Sequence, residues 1–575
     1  MQVVITPYYK DLFPHGNDTL EGLLEGIDSR HILQLLALMD AELYAKDEGQ
    51  QTQLSLFNLL LERQSEELRA QIIQDAFRRF PANQEHHFFT RHYNLSFLHY
   101  VLLHFHEVGL EELSPEQDLN LFKAYFLVAE EFGQQPRPKE QALPTFDDDY
   151  FGKMIWPTMA DNMESNFRMH PYDIMVRGVV FLNYFQFHSD YGKYVVAYLK
   201  KHNKKTTLNY AFDVFQMLNA NFESIRKNPD ALAGNSFARA VGFETLYEQF
   251  AIDPAAYQAR YRDNKENYSG IKARPLYQLN DNNWLVLNWS FLANKLYEGL
   301  VFDFYQNSGI ATEPAFHQFT GFKQFIGENI TEKHLLRSLA KKAWAKKYDI
   351  LLFDGNDQID GFPDVYYRKG NTVLLIEIKD AYFASATVNS YSYDKIKETI
   401  DLKLNSARRG SGQLIKQLKK LKDQAFEKPQ RYKSPAHLTI YPIIIYTDIH
   451  FNMLGVNEYV DRSFTKMKVE AGLQAAFRKI KPLTMINLNY LISIFDLLEN
   501  PATSLSVLID HYHHQLSNRK KKHLRTKNWA DHQQQYTVFE TISSESELAD
   551  RDDFTRKYME WIASALNLFE GLPPK

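Results

Sequence analysis

The hydrophobic period of this 575-residue chain changes near residue 270, and that change limits the folds open to it. From residue 20 to about 265 apolar residues recur at helical spacing, with Ile32, Leu33, Leu35, Leu36, Leu38, Met39 and Leu43 marking the first such stretch. Further stretches follow at 54–79, 95–107, 118–132, 174–200, 207–226 and 237–251, with breaks at Pro81, Pro136, Pro138, Pro229 and Pro254. Gln134–Pro144 reads as an exposed loop. Beyond 270 strand signals enter. Arg274–Trp289 reads as a hairpin around an Asn/Asp-rich turn, and residues 348–353, 364–368, 372–379 and 437–448 read as strands. Helices are expected over about 291–305, 322–346, 391–408 and 411–426. The pattern predicts a multidomain protein: a large all-α region over 1–265, an α/β domain over 266–500 that includes the leading hairpin, and a helical, basic region over 501–575.

Charge divides along the same line. The chain carries a formal net charge of −5, but residues 1–300 hold a net of −11 and residues 301–575 a net of +6. An overall coat of basic charge is therefore excluded, whereas a local basic groove is not. Residues 403–433 carry ten Lys and Arg against Asp423 and Glu427 alone, and a second basic run covers Arg519–Lys527. Two such runs in one half favour a polyanionic partner. The acidic helical half is better suited to protein contacts, with a partner or in self-association.

There is no cysteine, so thiolate metal sites, iron–sulfur clusters, disulfides and cysteine nucleophiles are all excluded. No basic start with an apolar run is visible at the N-terminus. The apolar stretch Ile174–Phe187 is interrupted by Arg177 and Asn183, and falls short of the ~20 residues of a membrane span. A cytoplasmic protein without membrane partners is expected. No GxxxxGK[ST] or GxSxG occurs. Asp510, His511, His513 and His514 read as a helix face rather than a metal site.

The segment that carries chemistry is GFPDVYYRKGNTVLLIEIKD, Gly361–Asp380. Gly370-Asn371 is a two-residue hairpin turn, which pairs Lys369 with Thr372 and brings Asp364 opposite Glu377. Glu377 and Lys379 share a strand face, so two carboxylates and one ammonium converge. Apolar bulk for the opposite face is expected from Val373, Leu375, Ile376 and Ile378. Two carboxylates with a backbone carbonyl, that of Ile378, make a hard oxygen site suited to Mg2+ or Mn2+.

Pro363-Asp364, twelve intervening residues and then Glu377-x-Lys379, set in a hairpin between a preceding helix and a following helix and strand, resembles the PD-(D/E)xK nuclease superfamily over about residues 315–450. The resemblance implies a restriction-endonuclease-like core, a mixed sheet flanked by helices. It further implies magnesium-dependent hydrolysis of DNA in a prokaryotic restriction or phage-defence role. Asp364 and Glu377 would be metal ligands and Lys379 the catalytic lysine. The family often adds a glutamate on the helix before the first strand. Glu328 is the preferred match, with Glu332 one turn later as the alternative. Gln413 matches a glutamine of recombination-type members, although the tyrosine that usually follows four residues on is replaced by Gln417. Arg408, Arg409, Lys416, Lys419 and Lys420 would hold the nucleic-acid backbone. An RNA-directed nuclease and a catalytically silent nucleic-acid-binding or scaffold subunit are the alternatives.

Overall fold

The protein is described by a computed structural model that covers residues 7–545 except 47–48, 79–86, 133–148, 167–170, 228–231, 239–242, 263–267, 355–360, 424–425, 427–433 and 499–502. The loop expected over Gln134–Pro144 lies outside the described residues, as do Lys428, Arg431 and Lys433 of the first basic run.

The N-terminal half is helical, as the period implies. Ser29–Lys46 buries Ile32, Leu33, Leu36, Met39 and Leu43 in a core shared with Arg91–Leu103 and Pro115–Phe132. A small antiparallel sheet follows, with strands β1 (Ser236–Ala238), β2 (Leu276–Asn280) and β3 (Asn283–Val286) in the order β1-β3-β2. The β2–β3 hairpin is the one expected, and Asn280 Oδ1 closes its turn by accepting from Asn282 N at 3.0 Å. Its pairing with β1 was not expected, because β1 precedes residue 265.

The larger sheet has six strands: β4 (Ile350–Phe353), β5 (Val365–Lys369), β6 (Thr372–Lys379), β7 (Thr439–Tyr446), β8 (Lys479–Ile480) and β9 (Thr484–Asn487). β4, β5 and β6 are antiparallel, β7 joins β6 in parallel, and β8 and β9 both extend β7 in parallel. β7 is buried on both faces, which accounts for its unbroken apolar run Ile443-Ile444-Ile445.

The pleat of β6 sorts its side chains strictly by two. Leu374, Ile376 and Ile378 join one core with the helix over 319–344, Pro171–Phe187 and Leu505–Thr526. Val373 and Leu375 join the other core, with Ser411–Lys422, Val456–Glu470 and Tyr150–Asn166. Val373 and Leu375 therefore lie on the Glu377 face, not opposite it as expected, because residues two apart on a strand share a face.

Both boundaries expected from the sequence, at 265 and at 500, are crossed by packing. One apolar core contains Val179 and Phe181, Trp284 and Val286, Ile376 and Ile443, and Leu508 and Phe539. The buried Arg91–Asp40 pair (3.1 Å) is tied to the chain beyond the hairpin, with Arg91 donating to Ser290 Oγ and Trp289 N donating to Asp40, each at 2.8 Å. Trp156 Nε1 donates to the Leu454 carbonyl at 2.9 Å. Among the described residues no helix is long and apolar enough to cross a membrane.

Candidate active site where β5 and β6 part

The site begins with a turn. Gly370 has φ +57°, the left-handed backbone that a two-residue hairpin turn needs, and the pairing runs Lys369–Thr372, Arg368–Val373, Tyr367–Leu374, Tyr366–Leu375 and Val365–Ile376. The ladder stops there. Asp364 and Glu377 come next on their two strands, while Glu377 and Lys379 remain paired with Ile444 and Tyr446 of β7.

Asp364 turns its side chain across this gap, and Ile378 N donates to its Oδ2 at 2.7 Å. A strand residue directs its N–H and C=O to the same edge, so the Ile378 carbonyl is aimed at the same gap. Glu377 is buried, with 1% of its surface exposed. Lys379 Nζ stands 2.9 Å from Glu377 Oε2, and Gln417 Nε2 donates to Glu377 Oε1.

These groups shift one another. Burial, reinforced by the Glu377 charge, pushes the Asp364 carboxyl well above the usual carboxylate range, against the opposing pull of Lys379. Burial likewise raises Glu332, with Asp354 and Glu377 adding to the rise and Arg337 and Lys333 opposing it. For Lys379 burial works against the charge, but Glu377, Asp364 and Glu332 outweigh it and raise its pKa, so it stays an ammonium.

The helix over 319–344 places its two candidate glutamates differently. Its middle, Ile326–Leu336, is a π-helix. Glu328 is exposed and accepts from Gln324 Nε2, on the same helix, at 2.9 Å. Glu332 is half-buried and faces the carboxylates electrostatically. Of the two, Glu332 is the one whose charge acts on Asp364 and Lys379.

The two glutamines of the following helix also part company. Gln413 sits in the first turn of Ser411–Lys422, where its Oε1 accepts the Gly410 N–H at 3.1 Å and caps the helix. Gln417, one turn on, reaches Glu377. Its signal was in the sequence: Leu414, Leu418 and Leu421 form the buried stripe of this helix, and Gln417 lies within it.

The basic residues divide. Arg408, Arg409, Lys416 and Lys419 are exposed. Lys420 is half-buried, and its Nζ lies 3.4 Å from where a Cβ on Gly361 would stand, close to the Pro363-Asp364 turn. Asp510 and His513 serve the sheet edge: Tyr441 OH donates to Asp510 Oδ2 at 3.0 Å, and Thr484 Oγ1 lies 2.8 Å from His513 Nε2. Among the described residues no group of three or more His, Asp or Glu side chains is gathered to hold a metal ion. The oxygen atoms at the gap are those of Asp364 and Glu377 and the Ile378 carbonyl, with Glu332 acting on them from the helix.

Comparison of the chain with models of known families, with curated proteins and with solved structures returned no match.

Proposed function

We propose that the chain is a divalent-metal-dependent nuclease that hydrolyses phosphodiester bonds, with DNA as its substrate. The restriction or phage-defence setting follows from the motif resemblance alone. The observation that carries the reading is the end of the β5–β6 ladder, where Asp364, Glu377, Lys379 and the Ile378 backbone meet at one gap.

The donor set there fits a hard cation. Asp364, Glu377 and the Ile378 carbonyl would hold Mg2+ or Mn2+, and each carboxylate oxygen that already accepts one hydrogen bond keeps a further lone pair. Burial first, and the neighbouring carboxylates second, raise Asp364 and Glu332, so a bound cation would restore both to their charged forms. When bound, the cation supplies Lewis-acid polarisation of a phosphate oxygen and a lowered pKa for water.

The chain's own residues do the rest. Lys379, held as an ammonium, donates to a phosphate oxygen and offsets charge growing there, rather than serving as a base. Gln417 fixes the Glu377 carboxylate, and Glu332 adds negative charge from the neighbouring helix. Lys420 stands beside the Pro363-Asp364 turn, and Arg408, Arg409, Lys416 and Lys419 offer contacts to the phosphate backbone.

The test is incubation of the full chain with supercoiled plasmid, linear duplex, single-stranded DNA and RNA, each with Mg2+, Mn2+ or EDTA. Cleavage of DNA that EDTA abolishes is the expected result. Cleavage confined to RNA would move the substrate, and binding without cleavage under every condition would replace the nuclease with a scaffold subunit.

A further inference from the structure

One carboxylate beside this gap is used by none of the steps above. Asp380 directly follows β6 and is buried. Its Oδ1 accepts from Lys323 Nζ at 2.8 Å and from Thr447 Oγ1 at 2.6 Å, and its Oδ2 accepts from Thr331 Oγ1 at 2.9 Å. Lys323, Thr331 and Thr447 are all buried as well. Thr447 directly follows β7, whereas Lys323 and Thr331 come from the helix over 319–344.

The two helix donors are eight residues apart. In an α-helix at about 3.6 residues per turn, residues eight apart lie well round the axis from one another. The π stretch closes i to i+5 turns and winds more slowly, which brings Thr331 back toward the face of Lys323. Gly327, in the same stretch, packs against Asp380: a Cβ there would meet Asp380 Cβ at 3.4 Å, an ordinary contact distance. The residue after Thr331 is Glu332, and the residue before Asp380 is Lys379. The carboxylate thus joins the π stretch to the strand ends one residue away from each.

Charge continues outward from this point. Lys323 lies over the Tyr382 ring at 4.2 Å, and Tyr382 OH donates to Glu298. Glu298 pairs with the buried Arg177 at 3.2 Å, and Arg177 stacks on Tyr297 at 3.8 Å and donates to Asn489 Oδ1 at 3.1 Å. Two buried cations alternate with two carboxylates, so the network is balanced without help from the gap itself.

We propose that Asp380 is a positioning residue, whose carboxylate locks the π stretch against the ends of β6 and β7 and thereby sets where Glu332 and Lys379 stand. This rests on the reading of the neighbouring gap as a metal-dependent nuclease centre. Asp380 itself touches neither cation nor substrate.

The test removes single hydroxyls and leaves the buried charges in place. Thr331→Val cuts the tie to the π stretch, and Thr331→Ser keeps it. Each full-length variant is compared with wild type for thermal unfolding, Mn2+ titration, duplex binding in EDTA, and kcat and KM for DNA cleavage. Thr331→Val is expected to unfold at a lower temperature, because the buried carboxylate loses one of its three donors, but to remain folded and keep its duplex affinity under assay conditions while Mn2+ affinity or kcat falls about 10-fold or more, the usual size for groups that orient metal ligands. Thr331→Ser is expected to stay within about twofold of wild type, since it restores the same donor. A Thr331→Val variant with wild-type kcat and Mn2+ affinity, in a protein that Asp364→Ala inactivates, would overturn the proposal. So would a loss in Thr331→Val that merely follows its unfolding temperature and is shared by Thr331→Ser. A wild type that neither cleaves nor binds Mn2+ would instead remove the nuclease reading, and the positioning role with it.

Discussion

Glu377 and Gln417 show how much rests on one amide. The carboxylate is buried and accepts from Lys379 on one oxygen and Gln417 on the other. A hydrogen bond to a charged group is worth about 1.5–3 kcal/mol, and a buried acceptor stripped of its donor costs a similar amount. Gln417→Leu keeps the bulk and removes the donor, so it is expected to destabilise the fold by about 2 kcal/mol and to lower cleavage. Gln413→Ala loses only a helix cap, which is worth about 1 kcal/mol, and should leave cleavage unchanged. Urea denaturation beside a cleavage assay separates the two, and equal activity losses would contradict the placement. Gln417 could be read from its place in the Leu414–Leu418–Leu421 stripe. The placement of Glu332 beside the carboxylates and of Glu328 at the surface could not, because it depends on a π stretch that winds more slowly than an α-helix and is tied to Asp380 across the fold.

At the scale of elements, the β5–β6 hairpin was legible to the residue because a two-residue turn at Gly370-Asn371 leaves one register. The far edge of the sheet was not. There β8 and β9 are short, and the helix Val456–Glu470 supplies side chains to the chain between and within them. Asn457 Oδ1 accepts from Met485 N at 2.7 Å, and Asp461 Oδ1 accepts from Leu483 N at 2.6 Å. Nothing in the period of the helix announces this docking. Burial pushes the Asp461 pKa from 3.8 up to about 6, despite the Leu483 hydrogen bond. An acid raised in the folded chain keeps a proton that the unfolded chain has released. Its contribution to stability is therefore full below about pH 4 and is lost as pH rises toward 6. Asp461→Asn retains an acceptor without the charge. It is expected to be nearly neutral at pH 4 and to stabilise by about 2–3 kcal/mol at pH 7.5, as measured by denaturant unfolding at the two pH values. An equal effect at both would contradict the assigned cause.

At the scale of the molecule, the change of period near residue 270 marks a change of secondary structure and not a division between cores. β1, before residue 265, pairs with β3 beyond it, and Pro171–Phe187 packs into the core that also receives Ile376 and Leu508. The sequence carried the alternation of helices and strands, but which faces meet is a tertiary property that neither period nor charge expresses. The charge asymmetry has the same limit: an acidic half and a basic half are joined by the half-buried pairs Lys397–Asp149 at 2.7 Å and Arg462–Asp149 at 3.2 Å. A fragment of residues 266–575 would expose the face that Val179, Phe181 and Phe185 cover. It is expected to lack a cooperative unfolding transition, whereas the full chain unfolds with one. Calorimetry of both proteins checks this, and an independently folded fragment with its own sharp transition would contradict the shared core.

The central claim is that Asp364, Glu377 and Lys379 act as one hydrolytic centre, and the most direct measurement is single-turnover cleavage of duplex DNA in Mg2+ by wild type, Asp364→Ala and Lys379→Ala, with duplex binding followed in parallel in EDTA. The account predicts that both variants bind the duplex as wild type does and cleave it at least about 100-fold more slowly, the scale expected when a metal ligand or a charge-stabilising donor is lost. Cleavage at the wild-type rate by both variants would contradict it.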